Sequence, residues 1–215
     1  MTWGAGSRAW IALGIALSAA FAVLAHAALV EGASPALGAF VAAVPLTVLA
    51  LVAARRAGRA AMFLAIAATL AAMGFGWRGL ERNFPHLLFV EHASTNLVLA
   101  LVFGRTLFGG REPLVTTFAR LVHGSLPPEV ERYARRVTVA WTLFFLAMLA
   151  ASCGLYLSGQ RAAWSVLANF ATPIGVGAMF VVEHAIRYRV LPHWERVGIL
   201  GSVRAFSRHF GQARP

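Results

Sequence analysis

Apolar residues run along this chain in six long blocks, each broken by a short polar or arginine-bearing stretch. The blocks cover residues 10–30, 36–54, 60–77, 87–108, 137–157 and 162–183. A helix needs about 20 consecutive apolar residues to cross a hydrocarbon core roughly 30 Å thick, so each block predicts one membrane span. Ser34 and Pro35, then residues 55–59, 78–86, 109–128 and 158–161, supply the connections. The first block follows Arg8 and contains Ala25-His26-Ala27, which resembles a signal-peptide cleavage site. Its long apolar run and the spans that follow it predict an uncleaved helix instead. The expected fold class is all-α: a polytopic membrane protein in which residues 1–215 form a single integral domain.

Two polar stretches carry a pattern of their own. After Pro113, which suits a first helical turn, Leu114, Val115, Phe118, Leu121 and Val122 fall on one helical face. Residues 113–123 are therefore expected to lie on the membrane surface as an amphipathic segment, broken off by Pro127-Pro128. The tail, residues 186–215, interleaves arginine with Ile, Val, Leu, Trp and Phe, and predicts a second basic surface-lying segment.

Charge then orients the helices. Every basic residue among the 19 Lys and Arg is arginine, and all 8 acids are glutamate. With the N-terminus inside, 16 arginines fall in inside segments and only Arg78, Arg82 and Arg161 fall outside. Because basic flanks stay cytoplasmic, this 16 to 3 split predicts both termini on the cytoplasmic side of the membrane. Only 13% of residues are charged against 59% hydrophobic, which excludes an ordinary soluble fold. The net charge of +11 is accounted for by topology and attraction to anionic lipid, so no nucleic-acid partner is expected. The single Cys153 excludes a disulfide framework or a cysteine-built metal site.

Candidate chemistry collects in two places. At the outer end, Glu91, His92 and Asn96 open the fourth span, Asn169 opens the sixth, and His26, Glu31 and His86 lie nearby. His92 and Asn96 are four residues apart and share a helical face, while Glu91 lies about 100° round. An ionisable group in the apolar zone must face other helices or a wet cavity, so these residues read as a proton-handling or polar-ligand site. The plainer reading is that they sit at headgroup depth or hydrogen-bond neighbouring helices. At the inner end stand Arg105, Arg111, Glu112, Arg120, His123, Arg132, Arg135, Arg136, Glu183 and Arg187. The positive-inside rule and lipid attraction explain most of this charge, and the planar guanidinium fork also suits docking of an acidic or phosphorylated partner.

Glu91, His92 and His123 are the candidate catalytic residues; Asn96, Asn169, Arg105, Arg111, Arg135, Arg136, Glu183 and Arg187 are the candidate ligand-binding ones. A catalytic reading would pair His92 with Glu91, or His123 with Glu112. The Glu-His pairs at 91–92 and 183–184 fall at opposite ends of their spans, roughly 30 Å apart, so they share no metal. No HExxH, P-loop, GxSxG or dinucleotide fingerprint occurs, and no metal or cofactor is expected. Asn169 and Pro173 interrupt the sixth span, as breaks that kink a helix or line a site do. Trp10, Trp77, Trp141 and Trp164 near the span ends read as an interfacial aromatic belt.

From Glu91 onward the chain resembles a family of bacterial inner-membrane proteins encoded in aryl-polyene pigment gene clusters. The likeness rests on FGRTL at 103–107, GREPLVTTFARLVHG at 110–124, YARRVTVAWTLFF at 133–145, WSVLANF at 164–170 and MFVVEHAIRYRVLP at 179–192. A fainter likeness joins the same half to the intracellular septation protein A family. The first resemblance implies a membrane accessory protein in making, placing or exporting a polyene or acyl lipid beside an acyl-carrier-protein-dependent synthase. Its partners would be membrane lipids, an acidic acyl carrier protein or synthase enzymes. A membrane acyltransferase or hydrolase, and a septation-like scaffold without ligand, are the alternatives.

Overall fold

The computed structural model describes residues 5–30 and 35–191, with only the backbone course for parts of the first three helices. Every described element is helical: α1 (Ala5–Val30), α2 (Pro35–Ala57), α3 (Arg59–Gly104), α4 (Leu114–His123), α5 (Pro128–Leu157), α6 (Arg161–Val166) and α7 (Thr172–Val190). A 3-10 turn, Arg105–Leu107, follows α3, and a π turn, Leu167–Ala171, joins α6 to α7. Among the described residues, four helical stretches are long and apolar enough to cross a membrane: Ala12–Val30, Gly76–Leu107, Pro128–Leu157 and Arg161–Val190. Large apolar side chains on them stand in the open, among them Leu157 at 78%, Ile174 at 68% and Val181 at 68% exposure. Water rarely faces so much exposed apolar surface, whereas lipid tails match it.

The connection expected at residues 78–86 is helical instead. The stretches expected as third and fourth spans are one helix of 46 residues, about 69 Å long at 1.5 Å per residue. Arg78, Arg82, Asn83 and His86 are exposed, while Leu80, Phe84, Leu87 and Leu88 repeat at helical spacing on the covered side. The apolar stripe thus continues beneath the charges, and Asn83 Nδ2 donates to the Gly79 carbonyl at 2.9 Å within the helix. The amphipathic segment expected at 113–123 is α4. Of the basic tail, α7 covers residues 186–190, and residues 192–215 lie outside the described ones, as does Glu31.

The chain packs as two compact units. The first joins the described residues up to His92 with Ser152–Pro173; the second joins Ala93–Ala151 with the described residues from Ile174. In the first, α1 packs on α2, α6 and the π turn. Its core holds Ala25, Val41, Ala42, Leu88 and Trp164, with Phe84, Phe89 and Tyr156 packed against them. Helices α2 and α3 touch closely at Gly38, where a Cβ would fall 2.5 Å from the Phe84 ring.

The second unit is built on Ala100, Val137, Trp141 and Phe145, flanked by Phe103, Val115, Phe144, Val176 and Met179. The aromatic-belt reading therefore fails for Trp141 and Trp164, which are core residues at 6% and 1% exposure. Helix α4 enters through a turn whose central residues, Gly109 and Gly110, both have positive φ (68° and 67°), a conformation other L residues rarely adopt. Pro113 at its N-cap offers no side-chain acceptor, and two distant threonines replace it. Thr106 Oγ1 accepts from the Leu114 N–H at 3.1 Å and Thr138 Oγ1 from the Val115 N–H at 3.3 Å. Each threonine donates its own proton to a carbonyl one turn back, Phe103 and Ala134, so neither hydroxyl is left wanting.

Gly38→Leu is expected to overpack the α2–α3 contact, at a cost of about 1–3 kcal/mol. A detergent-extracted thermal melt should read a lowered transition, and adding Phe84→Ala should restore part of the loss.

Candidate functional site

A half-buried histidine organises the first unit's polar groups. His92 meets Ser152 Oγ through Nδ1 at 2.9 Å and Thr172 Oγ1 through Nε2 at 3.0 Å. Thr172 Oγ1 donates to the Leu167 carbonyl at 2.9 Å, so it must accept from His92 Nε2–H. At the other end Trp164 Nε1–H donates to Ser152 Oγ at 2.9 Å, leaving the serine proton for His92 Nδ1. The chain of donors is complete with a neutral imidazole carrying its proton on Nε2, an assignment that follows from the network. Four side chains from α3, α5, α6 and α7 close on one another, and the Ser152 side of the chain is wholly buried.

The backbone prepares that arrangement. Pro173 has no N–H to give the helix and its ring crowds the carbonyl four residues back, so the helix widens into the π turn just before it. The Leu167 carbonyl then receives both the Thr172 N–H and the Thr172 hydroxyl. The sixth-span interruption expected at Asn169 and Pro173 is this π turn. Asn169 Nδ2 donates to the Ser165 carbonyl at 3.0 Å and to Ser165 Oγ at 3.1 Å. Ser165 in turn keeps its proton for His26 Nδ1, 2.9 Å away. His86 pairs with Tyr156 Oη at 2.8 Å. Glu91 is half-buried and Asn96 is buried at 3% exposure, the latter within the second unit's stretch of α3. His92, His86 and the pair of His26 with Asn169 thus hold different side-chain partners. Ser152, Ser165 and Thr172 were invisible as partners: Ser152 sits in a run of small residues that reads as close packing, and linear spacing relates none of the three to His92 or His26.

The second unit contains a cavity of about 390 Å³. Phe103, Phe118, Val137, Trp141, Phe145, Val176 and Phe180 make its apolar walls; His123, Glu183 and Arg187 are its polar members. Helix α4 presents Val115, Phe118, Ala119 and Val122 to it, positions spaced by three, one and three residues as one helical face requires. Tyr133 Oη donates to the Glu183 carbonyl at 3.0 Å and to its carboxylate at 3.2 Å. Glu183 Oε1 lies 3.7 Å from Arg187 Nε one turn on, and Arg187 also donates to His184 Nδ1 at 3.0 Å. Glu183 and Arg187, singled out by sequence, are thereby joined at the cavity, with Tyr133 as a supporting residue that spacing did not disclose. The pairing of His123 with Glu112 does not form as a dyad on one face: they flank α4 at opposite ends, about 15 Å apart along its axis.

A second concavity, of about 440 Å³, is polar. Arg111, Arg120, Arg132 and Arg135 line it with Glu112, Glu131 and Thr116. Arg120 lies 2.9 Å from Glu112 Oε1 through Nε and hydrogen-bonds Glu131 through a second nitrogen. The hydrogen bond to Glu131, followed by the charges of both carboxylates against some desolvation, raises the Arg120 pKa. Arg135 donates to the Leu107 carbonyl at 3.1 Å, placing a cation at a helical C-terminus where the exposed carbonyls favour it. Arg105 and Arg136 are exposed and line neither concavity. No three His, Cys, Asp or Glu side chains gather around a common point among the described residues.

No protein family, no curated protein and no solved structure matches this chain.

Ser152→Ala should leave both the His92 Nδ1 acceptor and the Trp164 N–H unmet. Hydrogen bonds inside membrane bundles couple by about 0.6 kcal/mol on average and up to about 2. A His92→Ala/Ser152→Ala double-mutant cycle, read from denaturant or thermal unfolding in detergent, is expected to give coupling in that range. Purely additive losses would show that the two side chains do not interact.

Proposed function

We propose that this is a bacterial inner-membrane accessory protein that holds the apolar chain of a polyene or acyl lipid during its synthesis, placement or export. The observation that carries the reading is the second unit's cavity, walled by aromatic and branched side chains and carrying a short polar set. Its volume falls in the roughly 300–1,000 Å³ range typical of small-molecule sites. Any surface in lipid is apolar; His123, Glu183 and Arg187 distinguish this one, because they put polar and charged groups within reach of a ligand's polar or acidic head. A conjugated chain is flat and stiff, so it suits stacking against Phe103, Trp141, Phe145 and Phe180.

The resemblance of the second half to proteins of aryl-polyene gene clusters supplies the context: an acyl-carrier-protein-dependent synthase on the cytoplasmic side. Twelve of the nineteen arginines fall at 105–136 and 187–214. The positive-inside rule puts these two clusters together on the cytoplasmic face, whether the chain crosses four times or six. An acidic carrier would meet a basic surface there. The hydrolase or acyltransferase alternative has less support, because Ser152, the hydroxyl that donates to His92, is wholly buried and also holds the Trp164 indole.

Purified full-length protein in uncharged detergent should bind cis-parinaric acid, a conjugated polyene fatty acid, with saturable energy transfer from tryptophan. Val176→Trp, which fills the cavity, is expected to weaken that binding by about tenfold or more. Arg187→Gln should weaken the acid more than the corresponding alcohol. Non-saturable partitioning, or an affinity unmoved by Val176→Trp, contradicts the reading. In the host, deleting the gene should remove a polyene lipid or stall it at an earlier intermediate in lipid extracts analysed by mass spectrometry; an unchanged profile would favour the scaffold alternative.

A further inference from the structure

The arginine-lined cleft of the second unit plays no part in holding an apolar chain. Helix α4 shows it a different face from the one that lines the cavity: Thr116 and Arg120, four residues apart, stand on this side, with Glu112 just before the helix. Helix α5 likewise turns Pro128, Glu131, Arg132 and Arg135 toward the cleft, and Val137, Trp141 and Phe145 toward the cavity. Charge in the cleft is unbalanced. Four arginines face two glutamates, a formal excess of two positive charges.

The excess is also poorly used by the protein itself. Both glutamates pair with Arg120, and Glu112 also accepts from Thr117 Oγ1 at 3.2 Å. Arg135 gives one N–H to the Leu107 carbonyl and keeps others. The exposed guanidinia of Arg111 and Arg132 have no hydrogen-bond or ion-pair partner among the described residues. Thr116 adds an independent sign. It lines the cleft at 2% exposure, and its hydroxyl has no hydrogen-bond partner among the described residues. Buried hydroxyls are nearly always satisfied, so an unmet one beside unpaired guanidinia marks a place where an acceptor belongs.

We propose that this cleft binds a phosphate group, with Arg111, Arg132 and Arg135 pairing its oxygens and Thr116 donating its hydroxyl. Guanidinium forks match the oxygen spacing of phosphate, and two excess charges match a phosphomonoester dianion. A lipid headgroup and a soluble phosphate share this chemistry. The site is separate from the chain-binding cavity, so either can fail without the other.

The test is isothermal titration of the full chain in uncharged detergent with inorganic phosphate and with dihexanoyl phosphatidic acid, neither of which carries a long chain. Dihexanoyl phosphatidylcholine, whose choline cation opposes the arginines, is the control. Arg111→Gln and Arg132→Gln replace exposed side chains that hold nothing in the fold, and each is expected to weaken binding by about tenfold. Thr116→Val should weaken it less. Arg189→Gln, an exposed arginine in the last turn of α7, removes the same charge elsewhere and should leave affinity within about twofold. Binding of both phosphates with this variant pattern identifies a soluble ligand, and binding of phosphatidic acid alone identifies a headgroup; either supports the site. If neither phosphate binds, or if Arg132→Gln behaves like Arg189→Gln, the proposal is overturned.

Discussion

A polar side chain in an apolar surrounding must find a partner within the protein, and His92 is where this constraint acts most strongly. Its two nitrogens need one acceptor and one donor on opposite sides of the ring, and Thr172 and Ser152 supply them. Each partner is itself committed further on, to the Leu167 carbonyl and the Trp164 indole. The consequence is geometric: α3, α5, α6 and α7 are held at one level by a directed chain of bonds, with Trp164 buried where an interfacial residue was expected. The π turn before Pro173 belongs to the same arrangement, because it frees the carbonyl on which the chain ends. Apolar packing alone would fix none of these helices in rotation, since lipid tails solvate leucine as well as a neighbouring helix does.

In the second unit an equivalent role falls to α4. A ten-residue helix that shows an apolar face to one concavity and Thr116 and Arg120 to another must be held at a fixed rotation, or both sites blur. Thr106 and Thr138 provide this by capping its first two N–H groups, and Gly124, at a φ of 75°, stops it. Two chemically opposed sites on one short helix follow from a simple period in the sequence: Val115, Phe118, Ala119 and Val122 against Thr116 and Arg120.

Much of this was legible in the residue pattern. The all-helical class, the amphipathic α4 and the helices at 137–157 and 162–183 follow from runs of apolar residues and from helical spacing. Residues 78–86 misled because charge density suggests a connection, whereas Leu80, Phe84, Leu87 and Leu88 carry the apolar stripe straight through. The i to i+4 pair of Glu183 and Arg187 was readable for the same reason that α4 was. Nothing in linear spacing could join His92 to Ser152, 60 residues on, or Tyr133 to Glu183, 50 residues on. A serine between Ala151 and Cys153 looks like any small packing residue until the fold places an imidazole beside it.

The central claim is that the second unit encloses the chain of a lipid instead of merely facing the bilayer. Photo-crosslinking with a fatty acid that carries a diazirine in its chain, in purified membranes, with peptide mass mapping of the labelled positions, tests it most directly. The account predicts that label concentrates on cavity residues such as Phe118, Trp141, Val176 and Phe180 and is competed by excess polyene acid. Label spread over outward-facing Leu143, Ile174 and Val181, unaffected by competitor, would contradict it.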